Sequence, residues 1–335
     1  MLRSLKPFPA GWNHAGGAIF PFGIRTALHE QMKANPSGVD RPWTSHGAMV
    51  RFMMPVLKMS LWLAPAAMAL ALAAPAIAAT GDWAQGQKAM VRLDASGVGS
   101  NGTIDGAIEI ALPAGWKTYW RNPGTAGIAP TFDFSASHNL AKPAVSFPVP
   151  QVVDDGYSVT NVYIGGVVLP FRAAVTDPAK PVELVLTVRL GACEDVCIPE
   201  EVMAHLTVPP GENDPATEAI LATARARLPG APERGVLAVD SIARNGGTDS
   251  RPAFRIVATA PGGATPVLLV EGPEDWAPYA PAFVSRDGDK ALFDVKFSRL
   301  GAKTPIAGAG IRVTMAAGGR AIEQTLALDD SHAVN

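Results

Sequence analysis

The chain holds two cysteines, Cys193 and Cys197, and both lie in the run Gly191-Ala-Cys-Glu-Asp-Val-Cys-Ile-Pro199. Thiols four positions apart can exchange disulfides, brace a fold or hold a soft metal. A brace acts mainly by restricting the unfolded chain and gains most from a long loop. This pair closes a short one, so a redox or metal role gains weight. The run separates two alternating apolar segments, residues 182–190 and 201–208, which places it at the tip of a hairpin. Hairpin ends come within the roughly 4.4–6.8 Å between Cα atoms that a disulfide needs. A ring this small is expected to hold strain, which makes a disulfide labile and suits exchange.

Glu194 and Asp195 lie between the cysteines. Their charges disfavour a neighbouring thiolate, so a low-pKa nucleophile is not expected. A pair of this kind holds its electrons until a docked partner supplies an activating environment, which describes a relay and not a general oxidant. Thioredoxin-like sites use Cys-x-x-Cys at a helix N-terminus in an α/β pattern, and neither spacing nor surroundings match here. The metal reading stays open: two thiolates could take Cu(I), with Met203 or His205 as a further ligand.

What a cysteine pair can mean depends on where the chain resides. Arg51 and Lys58 form a short basic region, residues 61–74 are almost wholly apolar, and Ala76-Ile77-Ala78 gives a small-x-small cleavage pattern. Residues 49–78 therefore read as a secretory signal peptide, with a mature start near Ala79 and a periplasmic destination. A single membrane span is the rival reading of the same stretch. Residues 1–48 show no targeting pattern or periodicity, as an upstream extension from a start codon placed too early would. A close cysteine pair in an exported chain is not the framework of a disulfide-rich scaffold. With 17% charged residues, a net charge of −2 and no basic stripe, nucleic acid is not an expected partner.

The mature part reads as all-β. Short alternating runs separated by Gly, Pro, Asn and Asp place strands at 89–93, 103–111, 117–121, 144–147, 167–175, 182–190 and 201–208, enough for a sandwich. Residues 211–232 form a linker with a helix over 217–228. A second series of runs, at 236–243, 253–259, 267–271, 282–285, 291–297, 310–315 and 321–328, makes a second, smaller sandwich-like domain over 233–335. Asp287-Gly288 reads as a hairpin turn. Trp116, Tyr119 and Trp120 read as packing residues, and His138 and His332 as ordinary surface histidines. No Ser-His-Asp order, carboxylate pair or phosphate-binding loop stands out, and no cofactor is expected.

Two separated motifs, Gly115-Trp-Lys-Thr-Tyr-Trp-Arg-Asn-Pro-Gly124 and the segment from Cys193 to Pro199 followed by Glu200, give a resemblance. Residues 82–210 resemble the periplasmic N-terminal domain of the DsbD family, and within it the ScsB-type branch associated with copper tolerance. The resemblance implies an immunoglobulin-like β-sandwich. Its cysteine pair would take electrons from a membrane-embedded DsbD-like donor and pass them to thioredoxin-like periplasmic oxidoreductases. Cys193 and Cys197 carry over as the redox pair, with Cys197 meeting the partner and Cys193 resolving the intermediate. DsbD-type domains cover the disulfide with a cap loop, and Asp154, Asp155 and Tyr157 sit at the comparable place in the chain, with Tyr163 as another candidate. Full-length members continue into a multi-span membrane domain and a thioredoxin-like domain that this chain lacks, so the donor is expected on another polypeptide. The reading is a protein-disulfide reductase component, with a non-catalytic Cu(I)-binding module as the alternative.

Overall fold

The computed structural model describes residues 80–99, 101–211, 215–263 and 265–328. The signal peptide expected at 49–78, the upstream stretch 1–48 and His332 lie outside the described residues. In chain order the first part forms β1 (Ala84–Gln85), β2 (Met90–Ala95), β3 (Thr103–Ala111), β4 (Lys117–Gly124), β5 (Thr131–Asp133), β6 (Leu140–Val145), β7 (Gln151–Asp154), β8 (Val159–Ile164), β9 (Gly166–Val175), β10 (Val182–Cys193) and β11 (Cys197–Val208). Helix α1 (Pro215–Arg225) follows. The remainder forms β12 (Ala238–Thr248), β13 (Arg251–Thr259), β14 (Val267–Glu271), β15 (Ala277–Pro278), β16 (Ala282–Asp287), β17 (Lys290–Ser298), β18 (Gly310–Ala317) and β19 (Arg320–Ala327). Among the described residues no helix is long and apolar enough to cross a membrane.

The first sheet has the order β1-β2-β3-β9-β6 and the second β11-β10-β4-β8-β7, with β5 beside β10. Alternation decides how they face each other. Along β10, Val182, Leu184, Leu186, Val188 and Leu190 are no more than 1% exposed, and they meet Val91, Leu93, Ile104, Ile108 and Leu169 of the first sheet in one core. Each such aliphatic side chain contributes about 1.5–3 kcal/mol by leaving water. This is the expected all-β sandwich. The β10–β11 ladder runs further than alternation alone suggested, past Leu190↔Glu200 to Cys193↔Cys197. Strands β7 and β8 were not expected; Thr160, Asn161, Val162 and Tyr163 are buried in succession, so β8 carries no period-two signal to read.

Helix α1 buries Thr217, Leu221 and Ala224. It packs against β3 and β9, and Arg225 reaches Asp105 at 3.0 Å. Proline at its first position costs no hydrogen bond, because that N–H has no helical partner. The second pair of sheets, β12-β13-β17-β15 with β16 beside β17, and β14-β18-β19, encloses its own core. Phe254, Ile256, Phe297, Ile311, Val313 and Met315 fill it, with Trp276 and Phe254 both edge-on to Phe297.

Arg121 in β4 joins the two cores. Its guanidinium lies 2.7 Å from Glu271 on β14, also pairs with Glu323 on β19, and stacks over Trp120 at 4.4 Å. Asn122 donates to the Val270 carbonyl, and Leu269 packs into the first core. The strand that carries the Trp-Lys-Thr-Tyr-Trp motif is thus bolted to the second pair of sheets.

Candidate redox site

Cys193 ends β10 and Cys197 begins β11, directly opposite each other in the ladder, and only Glu194, Asp195 and Val196 separate them. Side chains paired across an antiparallel ladder project from the same face. The two cysteines form a disulfide with their Cα atoms 4.1 Å apart. Their surroundings differ because their strands differ. β10 is an interior strand whose Cys193 also pairs with Lys117 on β4, whereas β11 lies at the sheet edge. Cys193 is 1% exposed, and Cys197 is open to solvent. An attacking thiolate must reach a sulfur along the S–S axis, and of the two it is Cys197 that water reaches.

What buries Cys193 is a small cluster outside the main core: Tyr119, Val162 and, partly, Val153. The Trp116–Trp120 motif divides by parity. Thr118 and Trp120 point into the sandwich, while Lys117 and Tyr119 point to the face that carries the disulfide. Trp120 is the core residue that its composition suggested, but Tyr119 is more than packing. Its hydroxyl lies 3.4 Å from Cys197 Sγ, and since a bonded sulfur has no hydrogen, the hydroxyl donates. Its ring packs over Gly127, where a Cβ, at φ +108°, would fall 2.2 Å from the ring, and Gly191 lies beside it. The missed signal was register. Whether Tyr119 shares a face with the cysteines depends on how β4 pairs with β10, which the sequence does not state.

Residues 82–209 match the family model described as thiol:disulfide interchange protein DsbD, N-terminal. They form a DsbD N-terminal-like domain. The crystal structure of the N-terminal periplasmic domain of ScsB from Proteus mirabilis has a similar fold, at TM-score 0.61 and 21% identity, covering 76% of this chain and 100% of that one. That share is larger than residues 82–209 supply, so the likeness of fold extends into the second pair of sheets. A comparison with curated proteins gave no match. The sandwich is immunoglobulin-like, as the two motifs implied.

Within the DsbD-like domain, Asp154, Asp155 and Tyr157 occupy the tight turn between β7 and β8. Asp154 accepts from the Gly156 amide, and Asp155 accepts from the amides of Tyr157 and Ser158 at 2.9 and 2.7 Å. These amide bonds, with the Ser158 hydroxyl and the Lys117 cation, hold the Asp155 carboxyl below its usual range. Burial, and then the charge of Asp155, raises the Tyr119 phenol above its usual value. The turn therefore acts electrostatically on the hydroxyl that touches Cys197. Tyr157 itself is fully exposed and does not shield the sulfurs in this conformation. Tyr163 is ruled out as a cap, being 7% exposed and donating to the Pro148 carbonyl at 2.6 Å inside the core.

The Cu(I) ligand set needs correction. Met203 and His205 lie on the exposed face of β11, paired with Thr187 and Val185. Six and eight residues of extended strand put them about 20 and 26 Å from Cys197 at roughly 3.3 Å per residue. They cannot join the cysteines around one ion.

Proposed function

We propose that the protein is a periplasmic thiol-disulfide exchange component. It relays electrons through Cys193 and Cys197 from a membrane-embedded DsbD-like donor to thioredoxin-like oxidoreductases. The observation that carries this is the asymmetry of the disulfide, one sulfur buried on an interior strand and the other open on an edge strand. The family model's named chemistry supports it. In this reading residues 82–210 are the redox domain, 211–232 the linker with its helix, and 233–335 a spacer or docking domain.

In the electron-accepting step a donor thiolate attacks Cys197 Sγ. The Cys193–Cys197 bond breaks, its electron pair leaves with Cys193, and a mixed disulfide joins donor and Cys197. The donor's second thiolate then attacks its own sulfur in that mixed disulfide and releases Cys197. The donor ends as a disulfide and this protein as a dithiol, two electrons richer. In the second half Cys197 attacks the oxidoreductase disulfide, and Cys193 resolves the intermediate, restoring its bond to Cys197. Tyr119 donates to the Cys197 sulfur, where thiolate charge appears, and such a bond to a charged acceptor is worth about 1.5–3 kcal/mol. The Asp154–Ser158 turn, with Asp155 near that hydroxyl, is the part of the rim a docking partner would disturb.

The test is to mix the reduced mature protein with an oxidised thioredoxin-like oxidoreductase and follow both thiol counts by mass. Loss of two thiols here and gain of two there is expected. A protein that transfers none, yet binds one equivalent of Cu(I) tightly, would leave the copper-binding reading in its place.

A further inference from the structure

Glu200 is a buried acidic side chain for which disulfide exchange provides no role. It follows Cys197 by three positions on β11, so it faces inward where Cys197 faces out, and it is 6% exposed. Its Oε2 accepts from the amides of Gln87 and Ala89 at 2.9 and 3.1 Å, and its Oε1 from that of Lys88 at 2.9 Å. Three consecutive amides in the β1–β2 turn thus converge on one carboxyl group. Burying such a group is costly unless it is hydrogen-bonded, and bonds to an ionised acceptor are the strong ones. The next inward positions on the same strand are Val202 and Ala204, so simple packing would call for an apolar residue here. The cradle also excludes a side chain at Gly86, where a Cβ would fall 2.3 Å from Glu200 Oε2.

The same turn reaches the other side of the redox hairpin. Lys88 Nζ lies 4.8 Å over the Trp116 ring. Trp116 follows Gly115, where a Cβ would fall 3.1 Å from Glu194 Oε1 in the loop between the cysteines. Only Ile198 and Pro199 separate Cys197 from the clamped Glu200, and proline stiffens that link by fixing its φ. The tether is about 10 Å when extended.

We propose that Glu200 is a positioning residue. Its carboxyl, held by the Gln87–Ala89 amides, fixes the start of β11 so that Cys197 stays opposite Cys193 after reduction, and so sets the balance between dithiol and disulfide. The proposal rests on the exchange reading. Thiols held face to face close more readily than thiols on a loose strand, because less freedom is lost on forming the bond. Loosening the clamp costs the reduced form little, since its strand end relaxes. In the oxidised form the S–S bond prevents that relaxation.

The experiment equilibrates the mature wild type, Glu200→Gln and Gly86→Ala with mixtures of reduced and oxidised glutathione. Two glutathione thiols become one glutathione disulfide for each Cys193–Cys197 bond reduced. Both variants are expected to shift toward the dithiol by about tenfold, which is about 30 mV for a two-electron couple. Their oxidised forms should also lose more thermal stability than their reduced forms. Gly86→Ala presses on the same carboxyl, and also on Val202 and the Ala89 carbonyl of the same turn, and keeps the test standing if Glu200→Gln fails to fold. An unchanged equilibrium, with equal loss of stability in both forms, would make Glu200 an ordinary anchor and overturn the proposal. A wild type that equilibrates neither with glutathione nor with a thioredoxin-like oxidoreductase would overturn the exchange reading itself, and the proposal with it.

Discussion

Tyr119 and the two cysteines make up the smallest unit of the site. The cysteine pair was legible from spacing and isolation, because two thiols four positions apart at a hairpin tip have few other uses. Tyr119 was not legible in that way. It sits in a motif of aromatic residues, and aromatic residues between strands are ordinarily packing; only the β4–β10 register brings its hydroxyl to 3.4 Å from Cys197 Sγ. If that hydroxyl supports the thiolate, Tyr119→Phe should slow alkylation of reduced Cys197 at pH 7 by about tenfold, the equivalent of one hydrogen bond of about 1.4 kcal/mol. The fold should change little, since the ring still fills the space beside Gly127 and Gly191. An unchanged alkylation rate would confine Tyr119 to packing.

A strand is legible in sequence where one face alone is buried, as along β10, and not where burial ignores parity, as along β8. β2 shows a second way in which an element departs from its pattern. Val91, Leu93 and Ala95 face the core, and of the outward positions Arg92 lies under the Trp83 ring while Asp94 is fully buried. Thr80 pairs across from Asp94, and Glu109 and Arg92 are its charged neighbours. Among the described residues neither carboxyl oxygen of Asp94 has a hydrogen bond of normal length. Burial, and then the neighbouring Glu109, pushes the Asp94 carboxyl up to about 7. A carboxyl raised in the folded state binds its proton more tightly there than in the unfolded chain. It therefore favours folding at low pH, and that contribution is lost as pH climbs from about 4 to about 7. Asp94→Asn should flatten this slope and be more stable than wild type at pH 8 by roughly 1–3 kcal/mol. Urea unfolding at pH 5 and pH 8 measures it, and parallel pH profiles for the two proteins would contradict it.

For the whole molecule, the sequence pattern gave two β-rich regions and a helix between them, but it did not show how firmly the regions are joined. The join rests on Arg121, an unremarkable basic residue in a strand, whose partners Glu271 and Glu323 lie far along the chain. Long-range ion pairs leave no local trace in sequence. Arg121→Met would leave Glu271 to Arg312 and Glu323 to the Thr314 hydroxyl in a partly buried site, and it should cost about 2–4 kcal/mol in unfolding free energy. Restoring stability with Glu271→Gln in the same chain would show that the loss is electrostatic. A loss below about 0.5 kcal/mol would mean the pairing is no stronger than a surface salt bridge.

The central claim is that Cys197 meets the partner and Cys193 resolves the intermediate. Trapping measures it most directly: Cys193→Ser and Cys197→Ser forms of the mature protein are each incubated with an oxidised thioredoxin-like oxidoreductase, and mixed disulfides are counted on a non-reducing gel. Cys193→Ser should accumulate a stable adduct through Cys197, while Cys197→Ser, left with a buried thiol, should form little or none. Equal trapping by both, or trapping by Cys197→Ser alone, would contradict the account.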